Sequence, residues 1–142
     1  MSVDIIEMWH QRARPNPIQA DLNTQFGCHL EEIVEMLDVV SIDSMNLAVA
    51  RNALHILSEH LKSNALSVNI IDRGSFLDAV ADQIVTGIGS AYCAHMKPSE
   101  AVYRINRSNW SKYDVDGKPI FDENGKIKKG PNYVRPDLTG LY

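Results

Sequence analysis

A chain of 142 residues is long enough for one domain with a substantial core, and its 44 % hydrophobic and 23 % charged residues are typical of a globular protein. The start, MSVDIIEMW, lacks the basic cluster of a secretory signal, and the longest apolar run, Ile84 to Met96, is too short to span a bilayer. Its two cysteines lack CxxC spacing, so we expect a reduced, cytoplasmic compartment, the host cytoplasm if the chain is viral.

The net charge of −4 is unevenly distributed along the chain. Residues 1–96 hold five Lys and Arg against twelve Asp and Glu, whereas residues 97–142 hold nine against six. An acidic region joined to a basic one suits a metal site that also holds an anionic ligand.

Hydrophobic periodicity predicts helices over most of the first 109 residues. Their predicted ranges are Ser2 to Arg14, Phe26 to about Val40, Asp43 or Ser44 (the N-cap) to about Asn64, Phe76 to Met96, and Pro98 to Asn109. Pro15 and Pro17 should end the first helix, and Pro98 fits the first turn of the fifth. The sequence therefore predicts an all-α protein, with a bundle of four to five helices over residues 1–109.

Residues 110–142 differ in character from the helical part. Asp116-Gly117 and Asn124-Gly125 are turn dipeptides, and the segments between them are short and partly β-prone. We predict a basic, hairpin-like C-terminal arm that packs on the bundle or on a neighbouring subunit, since it has little core of its own.

The second helix carries a concentrated group of carboxylates. Glu31 and Glu35 are four residues apart and Glu32 and Glu35 three apart, so the three side chains are neighbours on one helix surface. Like charges at this spacing repel each other unless a positive group lies between them. A divalent cation such as Mg²⁺ would take these oxygens, although a solvated acidic face is the commoner reason for such a pattern.

The fourth helix has its own acidic pair, Asp78 and Asp82, four residues apart. Their face otherwise holds small, uncharged residues such as Gly89, so we expect another helix to cover it. Covered carboxylates must be paired, protonated or bound to a metal. If the two acidic faces meet, they form a cage of four or five carboxylates. Such a cage beside a basic cluster favours metal-assisted phosphoryl chemistry.

Both motifs, EExxE at residues 31–35 and DAVAD at 78–82, occur in an order that resembles the all-α nucleoside triphosphate pyrophosphohydrolases. This superfamily includes the MazG proteins, the dimeric dUTPases and the phosphoribosyl-ATP pyrophosphohydrolases. Many relatives have ExxD in the second motif, whereas this chain has Ala79 where that Glu would stand and Asp78 one residue earlier. The later string RSNWSKYDVDGKPIFDENGKIKKGPNYVRPDL resembles bacteriophage MazG-like proteins in particular.

The resemblance implies a homodimer or homotetramer that binds two or more Mg²⁺ or Mn²⁺ ions and cleaves a nucleoside triphosphate between its α and β phosphates. Carried over by position, the metal ligands are Glu31, Glu32, Glu35, Asp78 and Asp82, with Glu32 as the catalytic general base. The resemblance also implies that Asn109 and Lys112 bind substrate. Further candidates for this role are Lys129 and Tyr133, and also Lys126 and Lys128.

The nucleobase is not determined by any residue in the sequence. Some phage relatives, called MazZ, act on dGTP or GTP, and we expect that preference here; an enzyme for dATP, dCTP or dUTP is the nearest alternative. The same residues are also compatible with a non-catalytic helical interaction protein or with a single-strand nucleic-acid-binding protein. The negative net charge argues against a stable nucleic-acid partner, and no membrane partner is expected.

Overall fold

The structure, a computed structural model, describes residues 3–142 and is all-α, as the sequence predicts. Its five helices are α1 (Val3–Ala13), α2 (Gln19–Asp38), α3 (Asn46–Lys62), α4 (Arg73–Cys93) and α5 (Pro98–Trp110). Within residues 3–142 no strand forms, and a single antiparallel bridge joins Phe121 and Ile127. None of these helices is both long and apolar enough to cross a bilayer.

The helix ends agree with the proline signals and differ at the predicted caps. α1 ends before Pro15, and α5 has Pro98 in its first turn, as predicted. α3 begins at Asn46 with Met45 before it, and the predicted cap Ser44 accepts a hydrogen bond from the Asn46 amide through its hydroxyl (3.2 Å). α4 begins at Arg73, three residues before the predicted start, because Asp72 caps it by accepting a hydrogen bond from the Ser75 amide (3.0 Å).

The chain divides into two compact units, which are described separately. The α1–α4–α5 unit comprises Met1–Pro15, Ile70–Ile120 and Lys128–Tyr142. The α2–α3 unit comprises Asn16–Asn69 and Phe121–Ile127.

In the α2–α3 unit, the two helices pack at very short distance around Gly27. The Ser58 hydroxyl is 1 % exposed and donates a hydrogen bond to the Gly27 carbonyl (2.8 Å). A Cβ added at Gly27 would lie 2.8 Å from the Ser58 carbonyl oxygen and 2.9 Å from the Lys62 amide nitrogen. Only glycine therefore permits this approach, and the buried apolar core of the unit is formed by Leu30, Val34, Leu61 and Ile127.

A buried polar cluster fixes the segment that follows α3. The Asn23 side chain, on α2, accepts a hydrogen bond from the Val68 amide (2.8 Å) and donates one to Asn64 Oδ1 (3.0 Å). Thr24, also on α2, donates to the Asn124 carbonyl (3.0 Å), which attaches the 121–127 turn to this unit.

In the α1–α4–α5 unit, the core lies between α1 and the end of α5. Trp9 is 7 % exposed and stacks on Tyr113 with a ring-centroid distance of 5.8 Å. The Tyr113 hydroxyl donates to the Trp9 carbonyl (2.5 Å), and burial raises the pKa of Tyr113 to about 12 against the opposing effect of nearby arginines.

The C-terminal arm contains both predicted turns. Gly117 and Gly125 adopt the left-handed conformation, with φ of +71° and +75°, which glycine reaches at no steric cost. Hydrogen bonds between Asp122 and Lys126 close the second turn, but Phe121–Ile127 is the one bridge present there, so the arm has turns without a strand ladder.

Helix α4 is nearly uncovered within this chain. It has no buried residue, and Leu77, Val85 and Tyr92 are 69 %, 67 % and 73 % exposed. A Cβ added at Gly89 would meet nothing within 4 Å. Among residues 3–142 nothing packs on Gly89, so the expectation that another helix covers the acidic face of α4 stays a prediction.

Candidate functional site

The three predicted glutamates lie on the C-terminal half of α2, and the helix places them as their spacing predicts. Glu31 is half-buried, whereas Glu32 and Glu35 are exposed. The Glu35 carboxylate makes no hydrogen bond or ion pair with any residue in the 3–142 range that the structure describes. The surface therefore offers a restrained carboxylate at Glu31 and an unpaired one at Glu35, about one turn apart.

Two lysines bind the Glu31 carboxylate, one at each oxygen. Lys62, from α3, donates to Oε1 at 2.7 Å, and Lys126, from the 121–127 turn, donates to Oε2 at 2.6 Å. Lys62 also reaches Glu59 at 2.6 Å, so it bridges two acids. The Lys62 side chain is 14 % exposed, which limits the screening of this network by water.

This arrangement shifts the titration of its members in the directions that ion pairing requires. Burial disfavours the charged form of Glu31, but hydrogen bonds from Lys126 and Lys62 outweigh it and lower the pKa of Glu31 below 4.5. Burial likewise opposes the charged form of Lys62, and its bonds to Glu31 and Glu59 still raise its pKa above 10.5. The network is therefore fully ionised at neutral pH.

The donor chemistry of α2 fits a hard divalent cation, since carboxylate oxygens are the ligands that Mg²⁺ and Mn²⁺ prefer. A cation at Glu31 would compete with two ammonium groups, whereas it would meet no such competition at Glu35. Across the described residues 3–142, no group of three or more His, Cys, Asp or Glu side chains is placed to hold a metal ion. The predicted ligand set thus stays a prediction.

The second acidic pair, Asp78 and Asp82, lies on the exposed surface of α4 in the other unit. Neither carboxylate makes a hydrogen bond or ion pair among residues 3–142. Their four-residue spacing on one helix is as predicted, and both residues are exposed.

The predicted substrate-binding residues Asn109 and Lys112 are brought together at the end of α5, next to Trp9. The Trp9 indole donates to the Asn109 carbonyl (2.9 Å), and the Lys112 ammonium lies 5.8 Å from the centre of the Trp9 ring. Their backbone and packing contacts hold this corner of the α1–α4–α5 unit in a defined geometry.

Lys129 and Tyr133 form a second predicted pair in the same unit. The Lys129 ammonium lies 4.8 Å from the centre of the Tyr133 ring, a cation–π contact. This contact joins two residues that were both predicted as substrate-binding candidates.

Lys62 is the residue of this cluster that the sequence did not indicate. Its only local signal is Glu59 three residues earlier, a spacing common on solvated helices. Its contact with Glu31 spans 31 residues and depends on the close packing of α2 on α3 at Gly27.

Comparison of the chain with known protein families, with curated proteins and with solved structures found no match.

Proposed function

We propose that the protein is a metal-dependent nucleoside triphosphate pyrophosphohydrolase of the MazG-like type, as the sequence motifs suggest. The observation that carries the proposal is the group of Glu31, Glu32 and Glu35 on α2, with Lys62 and Lys126 at its edge. Phosphoryl transfer requires two neighbouring components: carboxylates that can hold a cation, and ammonium groups that can neutralise phosphate.

The proposed reaction adds water across the anhydride bond between the α and β phosphates and releases a nucleoside monophosphate and pyrophosphate. Glu32, exposed beside the other two glutamates, accepts the proton of the attacking water. Bound Mg²⁺ or Mn²⁺ would supply charge neutralisation and lower the pKa of that water. Lys62 and Lys126 bind phosphate oxygens when Glu31 is engaged elsewhere.

The proposed substrate is dGTP or GTP, with dATP, dCTP and dUTP as the alternatives. This preference rests on the resemblance of residues 107–138 to the phage MazG-like proteins. A panel of all these nucleotides, assayed for pyrophosphate with Mg²⁺ or Mn²⁺, tests both the activity and the base. We expect the largest kcat/KM for dGTP or GTP.

We further propose that the protein self-associates through α4 as a homodimer or homotetramer. The exposed apolar side chains of this helix, together with a stretch from Gln83 to Met96 that lacks Asp, Glu, Lys and Arg, suit a second copy of the same face better than a charged partner. A cavity of about 580 Å³, lined by Val85, Ile88 and Tyr92 and at one end by Lys97 and Glu100, gives a second copy a place to insert side chains.

The decisive variant for the activity is Glu35→Gln, which preserves size and removes one accessible carboxylate. We expect kcat to fall by about 100-fold or more, because a lost ligand weakens cation binding directly. Glu123→Gln, an exposed acid in the 121–127 turn, is the matched control and should retain full activity. Absence of monophosphate from every nucleotide, or full activity of Glu35→Gln, would refute the proposal.

A further inference from the structure

The α1–α4–α5 unit contains a cavity of about 550 Å³ between α5 and the segment Val134–Asp137. This volume is in the range of small-ligand sites. Three arginines line it, Arg104 and Arg107 from α5 and Arg135 from the opposite wall. None of them belongs to the predicted substrate-binding set, and the α2 glutamates are in the other unit.

Hydrogen bonds from α5 hold the far wall of this cavity. The Ser108 hydroxyl, on a residue that is 6 % exposed, donates to the Val134 carbonyl (2.7 Å), and the Ser111 hydroxyl accepts from the Val134 amide (2.8 Å). Arg104 donates to the Asp137 carbonyl (2.9 Å). The cavity is therefore bounded by fixed backbone on both sides and does not depend on a loose tail.

The three arginines differ in what they contact. The Arg104 guanidinium already has partners within the protein, since it also forms an ion pair with Glu100 at 2.9 Å. The second acid of the cavity, Asp137, accepts a hydrogen bond from the Thr139 amide (2.9 Å). Arg107 and Arg135 make no hydrogen bond or ion pair through their guanidinium groups with residues 3–142.

Arg107 is also partly oriented before any ligand arrives. Its guanidinium carbon lies 5.8 Å from the centre of the Tyr103 ring, one helical turn earlier on α5. A guanidinium held against an aromatic ring keeps its planar set of donors directed outwards, and such donors match phosphate oxygens in pairs.

From this arrangement we propose that the cavity is a phosphate-binding site for a small anion, with Arg107 and Arg135 as the binding residues and Arg104 as the residue that holds the wall. The expected ligand class carries a phosphate or pyrophosphate group. The group has two possible sources, a free inorganic anion and a nucleotide, and titration with a probe of each kind distinguishes them. The site is independent of the proposed hydrolase activity, because it needs neither the α2 glutamates nor a cation.

The proposal is tested by calorimetric titration of the full chain in the presence of EDTA. Inorganic pyrophosphate and deoxyguanosine diphosphate are titrated in separate experiments. Chelation removes the cation that the α2 carboxylates would need to hold a phosphate. We expect saturable binding of one ligand per chain by at least one probe, and the tighter probe identifies the source. Absence of binding by both probes would overturn the proposal.

The double variant Arg107→Gln/Arg135→Gln should weaken this binding at least tenfold. Arg73→Gln/Lys118→Gln removes the same charge from exposed positions elsewhere in the unit and should bind as the wild type does. Equal binding by the two double variants would show a general charge effect and refute the site. Circular dichroism confirms that each variant is folded.

Backbone amide shifts in a nitrogen-labelled sample locate the ligand without any substitution. The expected shifts are confined to Tyr103–Ser111 and Val134–Asp137, which include both walls of the cavity. Shifts centred on Glu31 and Lys62 instead would place the anion at the lysines that bind Glu31 and contradict the proposal, while leaving the hydrolase proposal intact.

Discussion

Helices α2 and α4 show how similar sequence features lead to different packing. Each combines an apolar stripe with carboxylates and at least one glycine, Gly27 in α2 and three glycines in α4. At Gly27, α2 packs so closely on α3 that a Cβ would lie within 3 Å of backbone atoms, whereas at Gly89 in α4 there is open space. Small residues in the sequence indicate that another element can pack closely on a helix. Only the structure shows whether an element of the same chain packs there.

The carboxylates of the two helices differ in the same way. Glu31 is held by an ammonium group at each oxygen, whereas Asp78 and Asp82 have no such partner within residues 3–142. Lysine pairing gives Glu31 a fixed position. The acids of α4 are left accessible, and their partner, if the proposed self-association occurs, comes from a second molecule.

The largest effect is expected on self-association through α4. In Val85→Asp a charge replaces an apolar side chain that is 67 % exposed in the chain and buried in the proposed interface. An unpaired buried charge costs several kcal/mol, so the dissociation constant should rise by about 100-fold or more. Sedimentation velocity over a concentration series measures this change.

Val115→Asp is the matched control, because Val115 is 80 % exposed and lies after α5. It should leave the oligomer unchanged. A wild-type chain that sediments as a monomer at all concentrations would remove the self-association proposal and leave α4 as a helix without a partner.

The next effect tests the close packing at Gly27. Gly27→Ala places a methyl group 2.8 Å from the Ser58 carbonyl oxygen, so α2 and α3 must move apart. Such overpacking should lower the free energy of unfolding by about 2 kcal/mol, even after the gain in helix propensity. Urea denaturation followed by circular dichroism measures the loss.

Gly89→Ala makes the same change in α4 and sharpens the contrast. With nothing within 4 Å of the new methyl group, higher helix propensity should stabilise the monomer by up to about 1 kcal/mol. Destabilisation of an assembled form by this variant would show that a second copy approaches α4 as closely as α3 approaches α2.

The elements of the fold were predictable from the sequence because their signals are local. Hydrophobic periodicity and the positions of Pro15 and Pro98 suffice for the five helices, and Asp116-Gly117 and Asn124-Gly125 suffice for the two turns. Two helix starts were missed: α2 begins at Gln19 and not at Phe26, and α4 begins at Arg73 because Asp72 caps it in a linker with no periodicity of its own.

Less of the candidate site than of the fold could be predicted from the sequence. The glutamates of α2 were found through their spacing, but Lys62 was not, because its pairing with Glu31 depends on two helices meeting at a single glycine. A lone glycine in a helix carries no signal of what packs on it. The small residues of α4, by contrast, predict close packing at a position where residues 3–142 leave open space, so that prediction stays untested.

The smallest effect is expected for the lysines that bind Glu31, and it depends on pH. Lys62→Gln breaks the contacts with Glu31 and Glu59 and should cost about 1 kcal/mol at pH 7, after allowance for solvent screening. Because the folded-state pKa of Glu31 is lowered from 4.5, the stabilisation from its charge is present above pH 4.5 and is lost as the pH falls through the lowered value.

Urea denaturation at pH 7 and at roughly pH 3 therefore separates this network from a general charge effect. The difference in stability between wild type and Lys62→Gln should be smaller at the lower pH, because the protonated fraction of Glu31 rises as the pH falls. Arg51→Gln breaks an exposed ion pair with Asp38 and should show a smaller loss at pH 7. An equal loss in the two variants at pH 7 would mean that the pairing of Glu31 is no stronger than an ordinary surface contact, and that α2 and α4 differ in packing alone.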